Sequence, residues 1–407
     1  MMRTFTRVLA MTLLVALVAG TAYLAGFGTN WLLAVPGPAT ASEASSLETI
    51  TTLEERFQVF WEAWDVIQRE FYGHVPDGQE MTYGAIRGMI DTLDDPNTAF
   101  LDAKHAAIFN SDLSGTFEGI GATVHMTKEG QLTIVRPLPG HPAEKAGLKA
   151  GDIVLEVDDV VIENMTIFEA IALIRGPKDT PVTLTILRLG EPEPLVFTIV
   201  RATIEIPVVE SRMLDEDLAY VKLSEFNGIA TSRMRETLRE LLAEEPRGLI
   251  LDLRGNPGGY LHVVVEITSE FIDDGLVLIE ESKDGSQTQH AAITGGMARE
   301  IPLVVLIDER TASASEIMAG AIQDHQRGTL MGETTFGKGS VQVAHTLSDG
   351  SSLRVTIRHW LTPNGREING VGLTPDIEVE LTEIDREEGR DPQLEQAVEY
   401  LLRRTRP

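Results

Sequence analysis

The chain has 407 residues, no cysteine, and a formal net charge of −28 from 62 acidic and 34 basic side chains. This charge repels a phosphate backbone and argues against nucleic acid as a main partner, although an acidic surface also simply keeps many proteins soluble. The lack of cysteine excludes disulfides, thiolate nucleophiles and thiolate metal sites. A hydrophobic content of 43% is typical of soluble domains with buried cores.

The N-terminal segment has the features of an export signal or a membrane anchor. Arg3 and Arg7 precede an uncharged stretch, residues 8–28, which is about as long as the ~20 residues that a spanning helix needs. We therefore expect an extracytoplasmic protein anchored in the cytoplasmic membrane by residues 8–28, with the arginines on the cytoplasmic side. Cleavage as a signal peptide is the alternative. Residues 36–46 indicate a flexible tether, so residues 1–46 form the anchor and tether.

The rest of the chain divides into four predicted regions. Apolar residues recur at helical spacing in residues 47–112, which predicts a small helical region. Residues 113–203 alternate like short strands between Gly and Pro turns and predict a β-rich domain. Strands and helices alternate in residues 204–380, as in α/β proteins with parallel strands. Residues 381–407 contain an amphipathic helix, which packs either on the chain's own core or against a second copy.

Two loops that follow buried strands are candidate sites, because ligands bind beyond the carboxyl ends of parallel strands. The loop DERTASASEI, residues 308–317, places Ser313 and Ser315 near a helix start with unpaired backbone amides. Ser313 and Glu316 also match a capping box, which is a purely structural explanation. The loop DLRGNPGG, residues 252–259, ends in two glycines that either expose amides to an oxyanion or make a tight turn.

The stretch GETTFGKGSVQ begins like a phosphate-binding loop, but Gly339 stands where that motif requires Ser or Thr after the lysine. Lys338 is instead a candidate general base. It can accept a proton only when neutral, so burial must lower its pKa from about 10.4. Gln342 can orient the amine by accepting a hydrogen bond without adding charge. A surface lysine in a glycine turn is the alternative.

Nothing in the sequence predicts a metal or another cofactor. The histidines are scattered and show no HExxH or other ligand spacing. His325 beside Asp324 is typical of a polar helix end, and Asp252 of a turn or cap at the end of a strand. The candidate chemistry therefore rests on the serine, the lysine and the glycine loop.

These motifs together resemble a known family. The block TASASEIMAGAIQDHQRGTLMGETTFGKGSVQ is similar over its whole length to the signature of the carboxyl-terminal processing peptidases, also called tail-specific proteases. DLRGNPGG resembles the family's oxyanion loop, GTFEGIGA the start of its PDZ domain, and AIRGMIDTLDDPNTAFL its N-terminal helical region. The resemblance implies an α/β protease core of crotonase-like βαβ units, with an inserted PDZ domain and an N-terminal helical region.

For the active site, the resemblance implies Ser313 as nucleophile, Lys338 as general base and Gln342 as the residue that orients the lysine. The implied enzyme is a serine endopeptidase with a Ser/Lys dyad that processes proteins with exposed C-termini. A non-catalytic PDZ scaffold on a protease-like core is the alternative, and the intact set of three residues argues against it. Gly339 argues against a nucleotide-binding enzyme.

Two backbone N–H groups would stabilise the oxyanion in such an enzyme. By resemblance they belong to Ala314, directly after the nucleophile, and to Gly259, with Gly258 as the alternative to Gly259. The sequence leaves the choice between the two glycines open.

The PDZ resemblance implies that substrate choice begins in residues 113–203. Arg175 occupies the family position that couples peptide binding to alignment of the core, although an ordinary helix-end residue explains it equally well. Asp179 stands where a glycine is common, which leaves the local turn open. Family members can dimerise through terminal helices, so a homodimer is a further expectation. The loop that captures a terminal carboxylate would consist of Gly119, Ile120, Gly121 and Ala122.

Overall fold

The computed structural model of the protein describes residues 52–405. The predicted membrane segment, residues 8–28, lies outside this range. Among the helices that are described, none is both long enough and apolar enough to cross a membrane. The chain falls into two compact units that divide after Gly78.

The first unit contains helix α1, Leu53–Glu70. The helix begins with a capping box, in which the Thr52 hydroxyl accepts the N–H of Glu55 and the Glu55 carboxylate accepts the N–H of Thr52. No residue of α1 is buried, and Phe57 and Trp61 are 47% and 55% exposed. This segment is helical, as its apolar spacing predicts.

The remaining helices and strands are named in chain order. The helices are α2 (Gly78–Asp91), α3 (Ala103–Ser114), α4 (Pro142–Lys145), α5 (Ile167–Ile174), α6 (Ala230–Ala243), α7 (Leu261–Thr268), α8 (Ala314–Asp324), α9 (Glu383–Glu388) and α10 (Pro392–Arg404). The strands are β1 (Ala99–Leu101), β2 (Thr116–Gly119), β3 (Ala122–Met126), β4 (Leu132–Pro137), β5 (Ile153–Val157), β6 (Val160–Val161), β7 (Pro181–Leu187), β8 (Leu195–Val200), β9 (Ala202–Glu205), β10 (Val209–Leu214), β11 (Leu218–Leu223), β12 (Gly248–Asp252), β13 (Leu276–Ser282), β14 (Gln287–Ala291), β15 (Leu303–Ile307), β16 (Thr329–Gly332), β17 (Ser340–Thr346), β18 (Ser352–Leu361) and β19 (Ile377–Glu378).

The central sheet has the order β10-β11-β12-β15-β16-β19, and all its pairs are parallel except that of β10 with β11. Every residue of β12 and β15 is buried. Alternate side chains of these strands enter two hydrophobic clusters, one with α6, α7 and α8 and the other with α10. Ala397 and Leu401 of α10 are buried in the second cluster, so this helix packs on the chain's own core.

The β-rich domain has its own hydrophobic core. Its sheet has the order β3-β4-β5-β7-β8, with β6 on β5, and β2 pairs with β9. The side chains of a distinct hydrophobic cluster fill it. Because β3 lies at the end of this order, one of its edges has no partner strand in the described part of the chain.

The segment between α2 and α3 corrects one expectation from the sequence. This part of the predicted helical region also contains β1, which pairs antiparallel with β18, so that Ala99 lies opposite Arg354. Three residues of strand cannot be recognised by periodicity, and their conformation is fixed by pairing with a distant strand. The sheet β1-β18-β13-β14, with β17 on β18, therefore combines the N-terminal region with the protease core.

Candidate active site

Ser313 lies where strand β15 gives way to helix α8. It is the N-cap residue of α8 and has φ 57° and ψ −117°, a strained conformation for a residue other than glycine. Its side chain is partly exposed. The other candidate, Ser315, is fully buried, and its hydroxyl donates to the carbonyl of Asn256 at 2.9 Å. Only Ser313 therefore presents an accessible hydroxyl at this turn.

The glycine loop after β12 lies directly against Ser313. A Cβ on Gly258 would be 2.8 Å from the Ser313 Cβ. The N–H of Gly258 donates to Asn256 Oδ1 at 2.9 Å. Within residues 52–405, by contrast, the N–H groups of Gly259 and Ala314 donate to no protein acceptor. Of the two glycines, Gly259 is thus the one whose N–H is unoccupied.

If the N–H of Gly259 binds the oxyanion, a Gly259→Ala variant is expected to lose roughly 10²–10³-fold in peptidase rate, because displacing this N–H has the effect of removing one oxyanion donor. Gly259 has φ 148°, and a Cβ there would be 2.2 Å from the Phe226 carbonyl oxygen, so the loop must move. Gly255→Ala is the matched control, because Gly255 also has a positive φ of 73° but open space around it. Measuring both the rate of peptide hydrolysis and Tm separates the loss of the oxyanion donor from a general loss of stability. A Gly259→Ala enzyme with the rate of Gly255→Ala would contradict the assignment.

Lys338 lies in the loop between β16 and β17 and is half-buried. Burial lowers its pKa, and the positive charge of Arg354 lowers it further, while Asp95 and Glu316 act in the opposite direction. The flanking Gly339 is required by close packing, since a Cβ there would be 2.7 Å from Asn369 Cβ. The lysine thus lies in the desolvated setting that the sequence required of a base.

Glu316 connects the serine turn to the lysine loop. Its carboxylate is fully buried. Oε2 accepts the N–H of Ser313 at 2.8 Å and that of Lys338 at 2.9 Å. Oε1 accepts the Thr335 hydroxyl at 2.6 Å and the N–H of Gly337 at 2.7 Å. The sequence identified Glu316 only as a local cap and missed that the same carboxylate holds the lysine loop.

Gln342 lies on β17, and its amide nitrogen is bound to neighbouring hydroxyl groups. Nε2 donates to Ser340 Oγ at 2.7 Å and to Thr356 Oγ1 at 3.4 Å. No hydrogen bond among the described residues joins the side chains of Ser313, Lys338 and Gln342. The structure therefore connects the serine and lysine through backbone contacts with Glu316, and the orienting role of Gln342 stays a prediction.

A buried polar network that the sequence did not reveal supports the glycine loop. The fully buried Asp252 accepts the Tyr220 hydroxyl and Arg254 Nη2, each at 2.7 Å. Arg254 also donates to Asp391, the N-cap residue of α10, at 2.8 Å. Burial and the neighbouring Asp252 raise the pKa of Tyr220, so its phenol stays protonated. The start of the glycine loop is thereby tied to the C-terminal helix.

In the β-rich domain, residues 119–122 connect β2 to the edge strand β3. Ile120 is buried, and Gly121 has φ 75° with His141 so close that a Cβ would be 2.6 Å from the His141 Cβ. Their carbonyls accept the N–H groups of Ala143 and Leu138, whereas their own N–H groups have no protein acceptor in the described chain. The carboxylate-binding role of these amides stays a prediction.

Arg175 follows α5 and contacts α3 rather than the serine or lysine loops. Its guanidinium donates to Ser111 Oγ at 2.8 Å and to Asp112 Oδ1 at 2.7 Å, and it lies over the Phe117 ring at 4.1 Å. Asp179 has φ 64°, which explains why glycine suits this turn and shows that an aspartate also adopts it.

Three family models match the chain. The model for peptidase family S41 matches residues 217–379, which include the serine turn, the glycine loop and the lysine. A PDZ-domain model matches residues 133–188. The model of the N-terminal domain of the activating protease CtpB matches residues 18–105. These matches follow the order that the sequence motifs predict.

Curated relatives cover most of the chain. It is 37% identical over 335 residues to the carboxy-terminal processing protease CtpA of Bacillus subtilis, covering 82% of this chain and 71% of that protein. It is 36% identical over 361 residues to the carboxy-terminal-processing protease of Bartonella bacilliformis, covering 86% and 82%. Among solved structures, a photosystem II D1 C-terminal processing protease is 30% identical over 79% of this chain and 92% of that chain, with a TM-score of 0.48. The chain is a serine peptidase of family S41 and belongs to its carboxy-terminal processing proteases.

Proposed function

We propose that this peptidase is an extracytoplasmic endopeptidase that uses a Ser313/Lys338 dyad and selects substrates by their C-terminal tails. The observation that carries the proposal is the pair of unoccupied N–H groups, Gly259 and Ala314, beside a strained, partly exposed serine. Lys338 is half-buried and has a lowered pKa. Its N–H binds the Glu316 carboxylate, which also accepts the N–H of Ser313. Export and the anchor at residues 8–28 are predictions from the sequence alone.

In this mechanism neutral Lys338 Nζ takes the proton of Ser313 Oγ as the oxygen attacks a peptide carbonyl. The N–H groups of Gly259 and Ala314 bind the resulting oxyanion, each contributing about 3–4 kcal/mol to the transition state. The lysine ammonium then protonates the leaving amine, and an acyl-enzyme remains. Water, deprotonated by the same lysine, releases the acyl group and restores the serine. Gln342 Oε1 would accept a hydrogen bond from the amine, while its Nε2 keeps its bonds to Ser340 and Thr356.

We propose that the core is crotonase-like, because a helix follows each of the parallel strands β11, β12 and β15. For the β-rich domain, we propose that a substrate tail adds to the free edge of β3 and that its carboxylate binds the Ile120 and Gly121 amides. Binding of the tail would break the ion pair between Arg175 and Asp112. In this way the PDZ domain would gate the active site.

Tail recognition is tested with a pair of peptides that differ only in a free or amidated C-terminus. We expect amidation to raise KM by about tenfold or more, because a neutral amide loses the charge-assisted bonds to the loop amides. Labelling of Ser313 by a fluorophosphonate measures the catalytic site separately. Equal turnover of both peptides would remove the tail-recognition proposal, and an unlabelled Ser313 would favour the non-catalytic scaffold.

A further inference from the structure

The DDPNT segment, residues 94–98, lies between α2 and β1 and has no part in the mechanism above. Within it, the Asp95 carboxylate accepts the N–H groups of Asn97 at 3.0 Å and Thr98 at 3.1 Å, and the Thr98 hydroxyl at 2.6 Å. Such bonds are common in surface turns. Thr98, however, is only 6% exposed, and the turn leads directly into the strand that pairs with β18.

The turn is connected by hydrogen bonds to Gln342. Thr98 Oγ1 accepts the N–H of Thr356 at 3.1 Å. Thr356 lies opposite Gln342 in the ladder of β17 and β18, and its hydroxyl accepts Gln342 Nε2 at 3.4 Å. Asp95, Thr98, Thr356 and Gln342 therefore form a continuous chain of contacts from the N-terminal segment to the lysine side of the active site.

Asp95 also contributes charge to this side of the site. Burial opposes its ionisation, but hydrogen bonds from the Thr98 and Thr356 hydroxyls lower its pKa on balance, so it is a carboxylate at neutral pH. The charged groups that act on Lys338 are Arg354, Asp95 and Glu316. Of the two carboxylates, Glu316 is occupied by the backbone N–H groups of the site loops, whereas Asp95 comes from outside the central sheet.

We propose that Asp95 is a positioning residue of the active site, which fixes Gln342 through Thr98 and Thr356 and stabilises the ammonium that Lys338 becomes during catalysis. The inference rests on the proposed dyad. If Asp95 only closed a turn, its loss would lower stability but would leave the pH dependence of the reaction unchanged.

The test is the pH profile of kcat/KM for the full chain and its Asp95→Asn variant, with a peptide that has a free C-terminus. The rate rises with pH as Lys338 loses its proton. Because the carboxylate favours the protonated lysine, its removal is expected to move this rise to lower pH by about half a unit or more. Asp94→Asn is the matched control, since Asp94 is exposed and its φ of 54° suits asparagine. An unmoved rise in Asp95→Asn, or an equal movement in Asp94→Asn, overturns the proposal.

A second pair of variants tests the hydrogen-bonded path even if Asp95→Asn fails to fold. Thr98→Val keeps the branched shape but removes the hydroxyl, and kcat is expected to fall about tenfold with KM unchanged. Thr98→Ser keeps the hydroxyl and should therefore have the wild-type kcat. Wild-type kcat in Thr98→Val refutes the path. Fluorophosphonate labelling of wild-type Ser313 tests the dyad separately from the role of Asp95. If Ser313 is not labelled, the dyad is refuted. If Ser313 is labelled but the pH profile of Asp95→Asn is unmoved, only the role of Asp95 is refuted.

Discussion

Replacing either Ser313 or Lys338 with alanine is expected to lower kcat/KM by about 10⁴-fold or more. Each side chain acts in the bond-making step, and groups that act as a unit are not additive, so the double variant should lose little more than either single one. Hydrolysis of a peptide with a free apolar C-terminus measures the loss. Lys338→Ala should keep or raise Tm, because burial disfavours the charged amine that it removes.

Lys283→Ala is the matched control for the lysine, since it removes an exposed ammonium. The pH profile of the unaltered enzyme gives a second check. Because burial and Arg354 lower the pKa of Lys338, activity should rise with pH to a midpoint below the ordinary lysine value of about 10.4. A midpoint near that value, or full activity in Lys338→Ala, is incompatible with the dyad.

Replacing Glu316 with glutamine is expected to destabilise the protein by about 1–3 kcal/mol and to lower kcat by about 10²-fold. All four partners of the carboxylate donate hydrogen bonds to it. A glutamine offers only one acceptor oxygen, so its NH₂ group must face a backbone N–H. In place of Oε2 the NH₂ group removes the bonds from the N–H groups of Ser313 and Lys338, and in place of Oε1 it removes the bond from the N–H of Gly337, so the lysine loop is weakened in both orientations.

Glu309→Gln is the control for this substitution, because Glu309 lies in the same loop region and is exposed. Thermal unfolding and steady-state kinetics of the two variants separate the charge change from the loss of the buried anchor. If Glu316→Gln retained both wild-type Tm and wild-type kcat, the carboxylate would not hold the site together.

Much of the fold follows from the sequence because its signals are local. The buried strands β12 and β15 are short apolar runs between helices, and their covered faces explain why nearly every residue is hydrophobic. The sequence marks the serines and the lysine as candidates because the serines lie at a helix start after a buried strand and the lysine lies between two glycines. The choice of Ser313 over Ser315 is what the family resemblance implies. Burial of the lysine was required by its chemistry, and the structure supplies it.

The features that the sequence left undetermined depend on contacts between distant residues. The choice of Gly259 over Gly258 depends on which N–H the Asn256 side chain occupies. Glu316 satisfies a local motif and a distant loop at once, and only the local half is visible in sequence. Likewise, helical spacing around Asp112 gives no sign that it binds Arg175 from another domain.

The pairing of β1 with β18 also has a consequence for when activity can arise. Thr98 and Thr356 are 258 residues apart in the chain, so their contact forms only after nearly all of the core has been synthesised. Long-range pairings of this kind are slow to form, because the intervening chain must first be ordered. A nascent chain that already contains Ser313 therefore still lacks the strand that holds Gln342. The hydrogen-bonded path from Thr98 to Gln342 is therefore complete only once β18 has been made.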